Sequence, residues 1–268
     1  VRYDFQFPNG RYSARDFDPN AKSYVPTWLI QQLGADFFHC VVQVNLNYSD
    51  DSGTRKENSN RTDEALQYLP ALSNLRVLLL QETQATDSSL QHVASLKRLE
   101  HLYMWDASLV TDAGVEHLGG LHNLKSVHIS DSRISDGALR IFGQLDNLEE
   151  LSLQGNHFSD NGLAHLAGLN KLRSLWANSG TTNFSDRGLD HLAQLSQLET
   201  LAIQGDSITD DGLEKLVPLK RLKWVMVSSN TVSEEGVARL RAKRRNAKVE
   251  LFHQLPMADG ETMWGTAR

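Results

Sequence analysis

The chain has 268 residues, a formal net charge of −6, 40% hydrophobic residues and one cysteine. The mildly acidic balance leaves no electrostatic footprint for nucleic acid, and the lone Cys40 excludes an intrachain disulfide. No run of about 18 apolar residues could span a bilayer or act as a signal peptide.

Length alone would allow two ordinary domains, but internal repeats override that prior. Residues 1–36 do not repeat and are predicted to form a cap over an otherwise open core. They offer an alternating aromatic strand (Tyr3, Phe5, Phe7), an Asn9-Gly10 turn and a short helix from Trp28 to Leu33 stopped by Gly34. The chain opens on Val1 rather than Met, which suggests a processed or trimmed fragment with a targeting or anchoring segment upstream. An irregular first copy follows, with Val41, Val44 and Leu46 on a strand and a hydrophilic insertion at Asp50–Arg61. That insertion reads as a surface loop or as a rim loop contacting a partner.

From Leu75 onward the same pattern recurs. Leu75, Leu99, Leu124, Leu148, Leu172, Leu198 and Leu222 open successive copies at steps of 24, 25, 24, 24, 26 and 24 residues. A period in this range headed by Leu-x-x-Leu-x-Leu marks a leucine-rich repeat. In the copy at Leu148, Leu151 and Leu153 point inward from a short strand, while Glu150, Ser152 and Gln154 alternate outward. Ser159 stands at a helix N-cap, and Asp160 follows in the first turn, where its charge suits the helix dipole. Leu163, Leu166 and Leu169 are predicted to bury the helix. Thr62, Thr86, Thr111, Ser135, Ser185, Thr209 and Ser233 hold the same cap position. Glycine recurs at the third helical position, at Gly114, Gly137, Gly162, Gly188, Gly212 and Gly236. Because glycine costs roughly 1 kcal/mol in a helix, its recurrence predicts a close approach of the neighbouring repeat.

The expected fold is therefore an α/β leucine-rich-repeat solenoid, a right-handed horseshoe with a parallel sheet on the concave face and helices on the convex face. About eight repeats occupy residues 37–251, Val249-Glu-Leu251 supplies a last strand, and residues 252–268 form a polar tail containing Met257, Met263 and Trp264.

The [Ile/Val/Phe]-[Ser/Thr]-Asp-x-Gly-Leu signature resembles the cysteine-containing subclass of leucine-rich repeats, used by eukaryotic F-box substrate receptors and by several bacterial proteins. The segments Tyr3-Asp-Phe-Gln, Pro26-Thr-Trp-Leu and Gly34-Ala-Asp-Phe-Phe-His-Cys-Val-Val are similar to the leader of planctomycete leucine-rich-repeat proteins. The resemblance implies a bacterial binding scaffold, the extracytoplasmic part of a membrane-anchored protein. No F-box-like segment is present, so a ubiquitin-ligase role does not carry over.

Function then rests on outward strand positions. The middle one runs Asn45, Leu79, Tyr103, His128, Ser152, Trp176, Ala202 and Met226, and its flanks include His101, Trp105 and Trp224. Aromatic residues that no core requires, on a rigid sheet, are the material of binding hot spots. The expected binding face comprises His101, Tyr103, Trp105, Asp106, His128, Asp131, Trp176 and Trp224. Its expected ligand is a protein or peptide, taken up by a monomer without enzymatic activity, cofactor or metal. A carbohydrate is the alternative, stacked on the same aromatic stripe. His101 and His128 with Asp106 and Asp131 could hold a metal, and Ser152 beside His128 could imitate a nucleophile and base. Both readings lack an evident enclosed pocket. The helix histidines (His92, His117, His165, His191) belong to the repeat pattern, and the basic cluster Arg239–Lys248 reads as a solvated outer face.

Overall fold

The computed structural model describes residues 2–7, 10–13, 43–47, 63, 66–81, 85–177 and 184–252. It divides into two compact units, residues 1–133 and 134–268. The expected helix at Trp28–Leu33, the Asp50–Arg61 insertion, Cys40 and the tail beyond Phe252 lie outside the described residues.

In the first unit, β1 (Arg2–Phe7) and β2 (Gly10–Ser13) pair antiparallel, and β1 pairs antiparallel with β3 (Gln43–Asn47). From β3 the sheet runs parallel through β4 (Val77–Gln81), β5 (His101–Trp105) and β6 (Ser126–Ile129). Short helices α1 (Asp87–Val93) and α2 (Asp112–Glu116) separate the later strands. The second unit begins with α3 (Asp136–Phe142). Its five strands are β7 (Glu150–Ser152), β8 (Ser174–Ala177), β9 (Thr200–Gln204), β10 (Trp224–Ser228) and β11 (Lys248–Phe252). They are parallel neighbours in chain order. Between them lie α4 (Asp160–Ala164), α5 (Asp186–Leu192), α6 (Asp210–Glu214) and α7 (Glu234–Lys243).

The strand register stacks like on like. Leu78, Leu102 and Val127 align in the first unit, and Leu151, Leu175, Leu201, Val225 and Val249 in the second. All are buried. Each row of inward leucines is thus continuous from repeat to repeat, as a core that grows along one axis requires.

The helices are shorter than a helical reading of the leucines predicts. α4 stops at Ala164, and Leu166 and Leu169 are buried in the turns that follow it. The amides of Leu166, Leu169 and Leu172 each donate to the carbonyl three residues back, at 3.0 Å. A leucine every third residue fits turns of three residues, which place successive leucines on one face where an α-helix would rotate them away.

The Ser/Thr-Asp pair has a second role beyond capping. The Asp87 carboxylate accepts from the Thr111 amide at 2.8 Å and from its hydroxyl at 2.7 Å, one repeat further on. Asp136 accepts in the same way from Ser159 (2.7 and 2.7 Å), Asp160 from Ser185 (3.0 and 2.5 Å), Asp186 from Thr209 (2.8 and 2.6 Å) and Asp210 from Ser233 (2.8 and 2.6 Å). Each cap hydroxyl therefore donates backward to the previous repeat. Those of Thr111, Ser159, Ser185 and Ser233 also accept an amide of their own helix. Thr209 departs from the expected cap, because its hydroxyl caps no amide and serves only Asp186.

This ladder accounts for the recurrent glycine. A Cβ on Gly212 would lie 2.0 Å from Asp186 Oδ1, and one on Gly188 2.4 Å from Asp160 Oδ1. Gly114, Gly162 and Gly236 meet Asp87, Asp136 and Asp210 at 2.1–2.3 Å. Moving the carboxylate aside would break the bonds it holds. In the copy after Asp63, Ser89 takes the glycine's place, and its hydroxyl itself donates to Asp63 Oδ1.

A parallel row of charge follows the core leucines. Glu100 bridges Arg76 and Lys125 in the first unit, and Glu199 bridges Arg173 and Lys223 in the second. The Lys125 hydrogen bond holds the Glu100 carboxyl below the usual range, and Lys223, then Arg173, do the same for Glu199. Exposed pairs of this kind add little individually. The basic cluster is likewise engaged: Arg239 pairs with Asp210 and Glu214, Lys243 with Glu214, and Arg241 donates to the Val249 carbonyl.

Gly212→Ala should destabilise the protein by about 1–3 kcal/mol through overpacking. Gly168→Ala, whose Cβ meets nothing within 4 Å, should be neutral or slightly stabilising. Thermal melts of both test the ladder, and equal effects would count against it. The hydroxyl and then the amide of Ser233 hold the Asp210 carboxyl below its ordinary value of 3.8. A depressed carboxylate stabilises above its unfolded-state pKa, and that contribution is lost as pH falls through the lower folded-state value. Stability should therefore fall with acid below about pH 4, and Asp210→Asn should flatten that fall in melts taken down the pH range.

Candidate functional site

The face of the sheet opposite the inward leucines differs between the two units. In the first, burial alternates along β5: Leu102 and Met104 are fully buried, while His101, Tyr103 and Trp105 are only partly covered. Residues two apart on a strand share a face, so these three rings stand in a row. His101 and Tyr103 lie within 1° of parallel, with centroids 6.2 Å apart. Tyr103 and Trp105 lie within 6° of parallel at 5.6 Å. His128 on β6, in register with Tyr103, meets it at 4.8 Å and 60°, and meets Trp105 at 6.2 Å and 64°. Stacked and tilted contacts are the favoured geometries for aromatic pairs, and here they fix four side chains into one cluster.

His101 is in register with Ser126, so it sits diagonally from His128 with Tyr103 beside both. The two histidines are not directly opposed, as a shared metal would favour. Among the described residues no group of three His, Cys, Asp or Glu side chains is placed to hold a metal ion. His101 Nδ1 is shielded from solvent without a hydrogen-bond partner among the described residues. Asp106 and Asp131 close the two strands in left-handed conformation, with φ of 56° and 51°. Both are exposed. Leu109, in the same rim segment as Asp106, is 38% exposed, and sequence reading missed it. Its place in the polar stretch between strand and helix gave no periodic signal.

In the second unit Trp176 and Trp224 are half-buried, as the rings of β5 are, while several outward positions beside them are buried by neighbouring side chains. Trp176 on β8 and Trp224 on β10 approach to 5.2 Å with a 42° tilt, spanning β9 between them. Alanine at position 202 permits this: a larger outward side chain on β9 would hold the rings apart, and Ala202 is fully buried. Met226 and Ser152, read from sequence as outward, are buried too, at 8% and 7% exposure. Both indole nitrogens are engaged. Trp176 Nε1 donates to Ser174 Oγ at 3.1 Å, and Trp224 Nε1 to Glu250 Oε2 at 2.8 Å. Sequence reasoning passed over Glu250, although its register with Met226 places it on this face. The Lys248 bond, followed by the Trp224 bond, holds the Glu250 carboxyl below its usual range.

These repeats, their inward leucines and their ladder of caps can be set against known proteins. The leucine-rich repeat family matches residues 145–167. The fold is the leucine-rich-repeat solenoid. An internalin from Listeria monocytogenes is similar over 80% of this chain at 20% identity, with a TM-score of 0.51. This chain spans 62% of that internalin. No curated protein matches the sequence. Among the described residues no helix is long and apolar enough to cross a membrane. His92, His117, His165 and His191 fall at most one to a repeat along the sequence.

The two faces should answer truncation differently. Trp176→Ala removes a ring pair, worth about 0.5–1.5 kcal/mol beyond its buried area, and uncovers Ala202. Trp105→Ala also removes ring contacts, with Tyr103 and His128, but no indole hydrogen bond among the described residues, whereas Trp176→Ala loses its bond to Ser174 as well. A denaturant titration should therefore show the larger loss for Trp176→Ala, and the reverse order would contradict a packing role for the Trp176–Trp224 pair.

Proposed function

We propose that the chain is a non-enzymatic interaction scaffold that binds a protein or peptide along the open face of its sheet. His101, Tyr103, Trp105, His128, Asp106 and Asp131 carry the contact in the first unit, with Trp176 and Trp224 contributing in the second. The observation behind this reading is the row of parallel rings on β5, which faces away from the buried leucines and adds nothing to the core. Tyrosine and tryptophan held rigid by their neighbours supply large contact area at low entropic cost. The likeness to an internalin supports a binding role by analogy of fold alone.

A carbohydrate ligand is the second reading. It is favoured by the Trp176–Trp224 pair, a fixed apolar surface edged by Ser174, Thr200 and Glu250. From the sequence resemblance we further place the repeats in the cysteine-containing subclass, close to planctomycete leucine-rich-repeat proteins. On the same ground we place the chain in the extracytoplasmic, membrane-anchored part of a bacterial protein, acting as a monomer.

Cross-linked capture of partners by the purified chain, set beside a glycan array, separates the two ligand classes. Tyr103→Ala with Trp105→Ala should abolish protein capture, since a hot-spot truncation typically costs about 2 kcal/mol or more of affinity. The melting temperature should fall modestly, because the ring contacts are lost while the leucine core beneath is kept, and the variant should remain folded. A folded double variant that still captures every partner would place the ligand elsewhere.

A further inference from the structure

We propose that the second unit carries an electrostatic docking surface for an anionic lipid layer, formed by Lys220, Arg221, Lys223, Arg244, Arg245 and Lys248 on the two turns that lead into β10 and β11. This surface is separate from the sheet face and does not rest on the reading given to that face.

A row of charge runs along the strand starts, and it breaks at the last step. One backbone bond links equivalent residues of successive copies: Arg173 N donates to Glu149 O, Glu199 N to Arg173 O, Lys223 N to Glu199 O and Lys248 N to Lys223 O, at 2.7–2.8 Å. The sign of the side chain alternates from Glu149 to Lys223, so each neighbour offsets the one before it. Lys248 stands where the alternation calls for a carboxylate. It turns instead to Glu250 on its own strand, while Lys223 pairs with Glu199. Both lysines stay exposed, at 68% and 71%. Like charges side by side repel, and an anion shared between them removes that cost.

The turns themselves add the other four cations. Leu219-Lys-Arg-Leu-Lys223 leads into β10 and Arg244-Arg-Asn-Ala-Lys248 into β11, with no carboxylate in either. Lys220, Arg221 and Arg245 are exposed and make no hydrogen bond or salt bridge among the described residues. Arg244 is partly covered, and its Nε is shielded from solvent without a partner among the described residues. The carboxylates that bond this row are already shared: Glu199 bridges Arg173 and Lys223, and Glu250 holds Lys248 and the Trp224 indole. The repeat does not impose the charge, since the same turn carries Asn170 with Lys171 and Ser196 with Gln197 in the two preceding copies. The chain as a whole is acidic, at −6, so the concentration of positive charge is local. Its chemistry suits a fluid anionic surface better than a protein. Leu219, Leu222 and Ala247 are buried, and the turns offer no apolar anchor of the kind a protein hot spot needs. Long stems with charged heads fit lipid headgroups, which move to meet each ammonium or guanidinium, and clusters of about four to eight such residues recognise anionic lipid.

The test is co-sedimentation of the whole chain with vesicles of phosphatidylcholine alone and of an equal mixture of phosphatidylcholine and phosphatidylglycerol. The chain should partition onto the anionic vesicles and not onto the neutral ones, and concentrated salt should release it. Arg221→Gln with Arg245→Gln removes two exposed, unpaired charges and should lower the partition coefficient about tenfold or more at an unchanged melting temperature. Arg133→Gln with Arg187→Gln changes the net charge equally at exposed positions on other elements, and should leave partition near that of the original chain. Equal partition onto neutral vesicles, no partition at all, full partition of the Arg221 and Arg245 variant, or the same loss in both double variants would each overturn the surface. A poly-glutamate peptide represents the other class of partner. If it binds while the vesicles do not, the six cations serve an acidic protein segment and the lipid surface is overturned.

Discussion

The rest of the structure depends on one bond pair: the first-turn aspartate of each helix accepting the amide and the hydroxyl of the cap residue in the next repeat. A helix N-terminus leaves backbone donors unpaired, and here the preceding repeat supplies an acceptor as well as the helix's own cap. The carboxylate is thereby fixed against the next helix, where a glycine leaves it room or, at Ser89, a hydroxyl bonds it. Cap, aspartate and glycine are a single device. The start of one helix sets the start of the next, so strands follow at a constant register and inward leucines fall into continuous rows. Stability in such stacks resides at the interfaces between repeats, and this bond pair is a polar interface term from Asp87 to Thr111 in the first unit and from Asp136 to Ser233 in the second. At Thr86 the hydroxyl alone reaches Asp63, and the amide donates to Ser89.

A lattice held in this way frees its other sheet face from structural duty, and the two units use that freedom differently. In the first, the outward side chains of β5 and β6 form a ring cluster, and the exposed Asp106 and Asp131 follow at the strand ends in left-handed conformation. In the second, a small residue on β9 lets two tryptophans lean together across it, and both indole nitrogens are taken up by neighbours. The same residue type at nearly the same repeat position thus stacks on aromatic neighbours of its own and the next strand in one unit and pairs across an alanine in the other. The deciding residue is not the tryptophan but the one between the tryptophans: Ala202.

Such a division suits a recognition protein. Binding to a rigid surface avoids the entropy of ordering it, and the parallel rings of β5 are ordered before any ligand arrives. Enzymatic chemistry has less to build on. The histidine pair that suggested a metal is offset by two residues in register, and Ser152, the candidate nucleophile, is buried. Charged groups with shifted protonation, such as Glu100, Glu199 and Asp210, owe their shifts to repeat-to-repeat bonds, and they sit in ladders instead of in a cleft.

The sequence by itself determined the repeat, the inward and outward alternation of the strands and the close approach at each glycine, because these depend on local period and on residue volume. It also named the aromatic positions on the sheet. It misjudged the helices, since leucines three apart were taken for helical spacing when the turns run at three residues. It credited the aspartates to the helix dipole, because an acceptor whose donors lie 23–25 residues away leaves no local trace. Only the tertiary structure decided which aromatic residues pair and with which neighbours. That outcome turns on the size of the residue one strand away and on the tilt of the rings, which no pattern along the chain encodes.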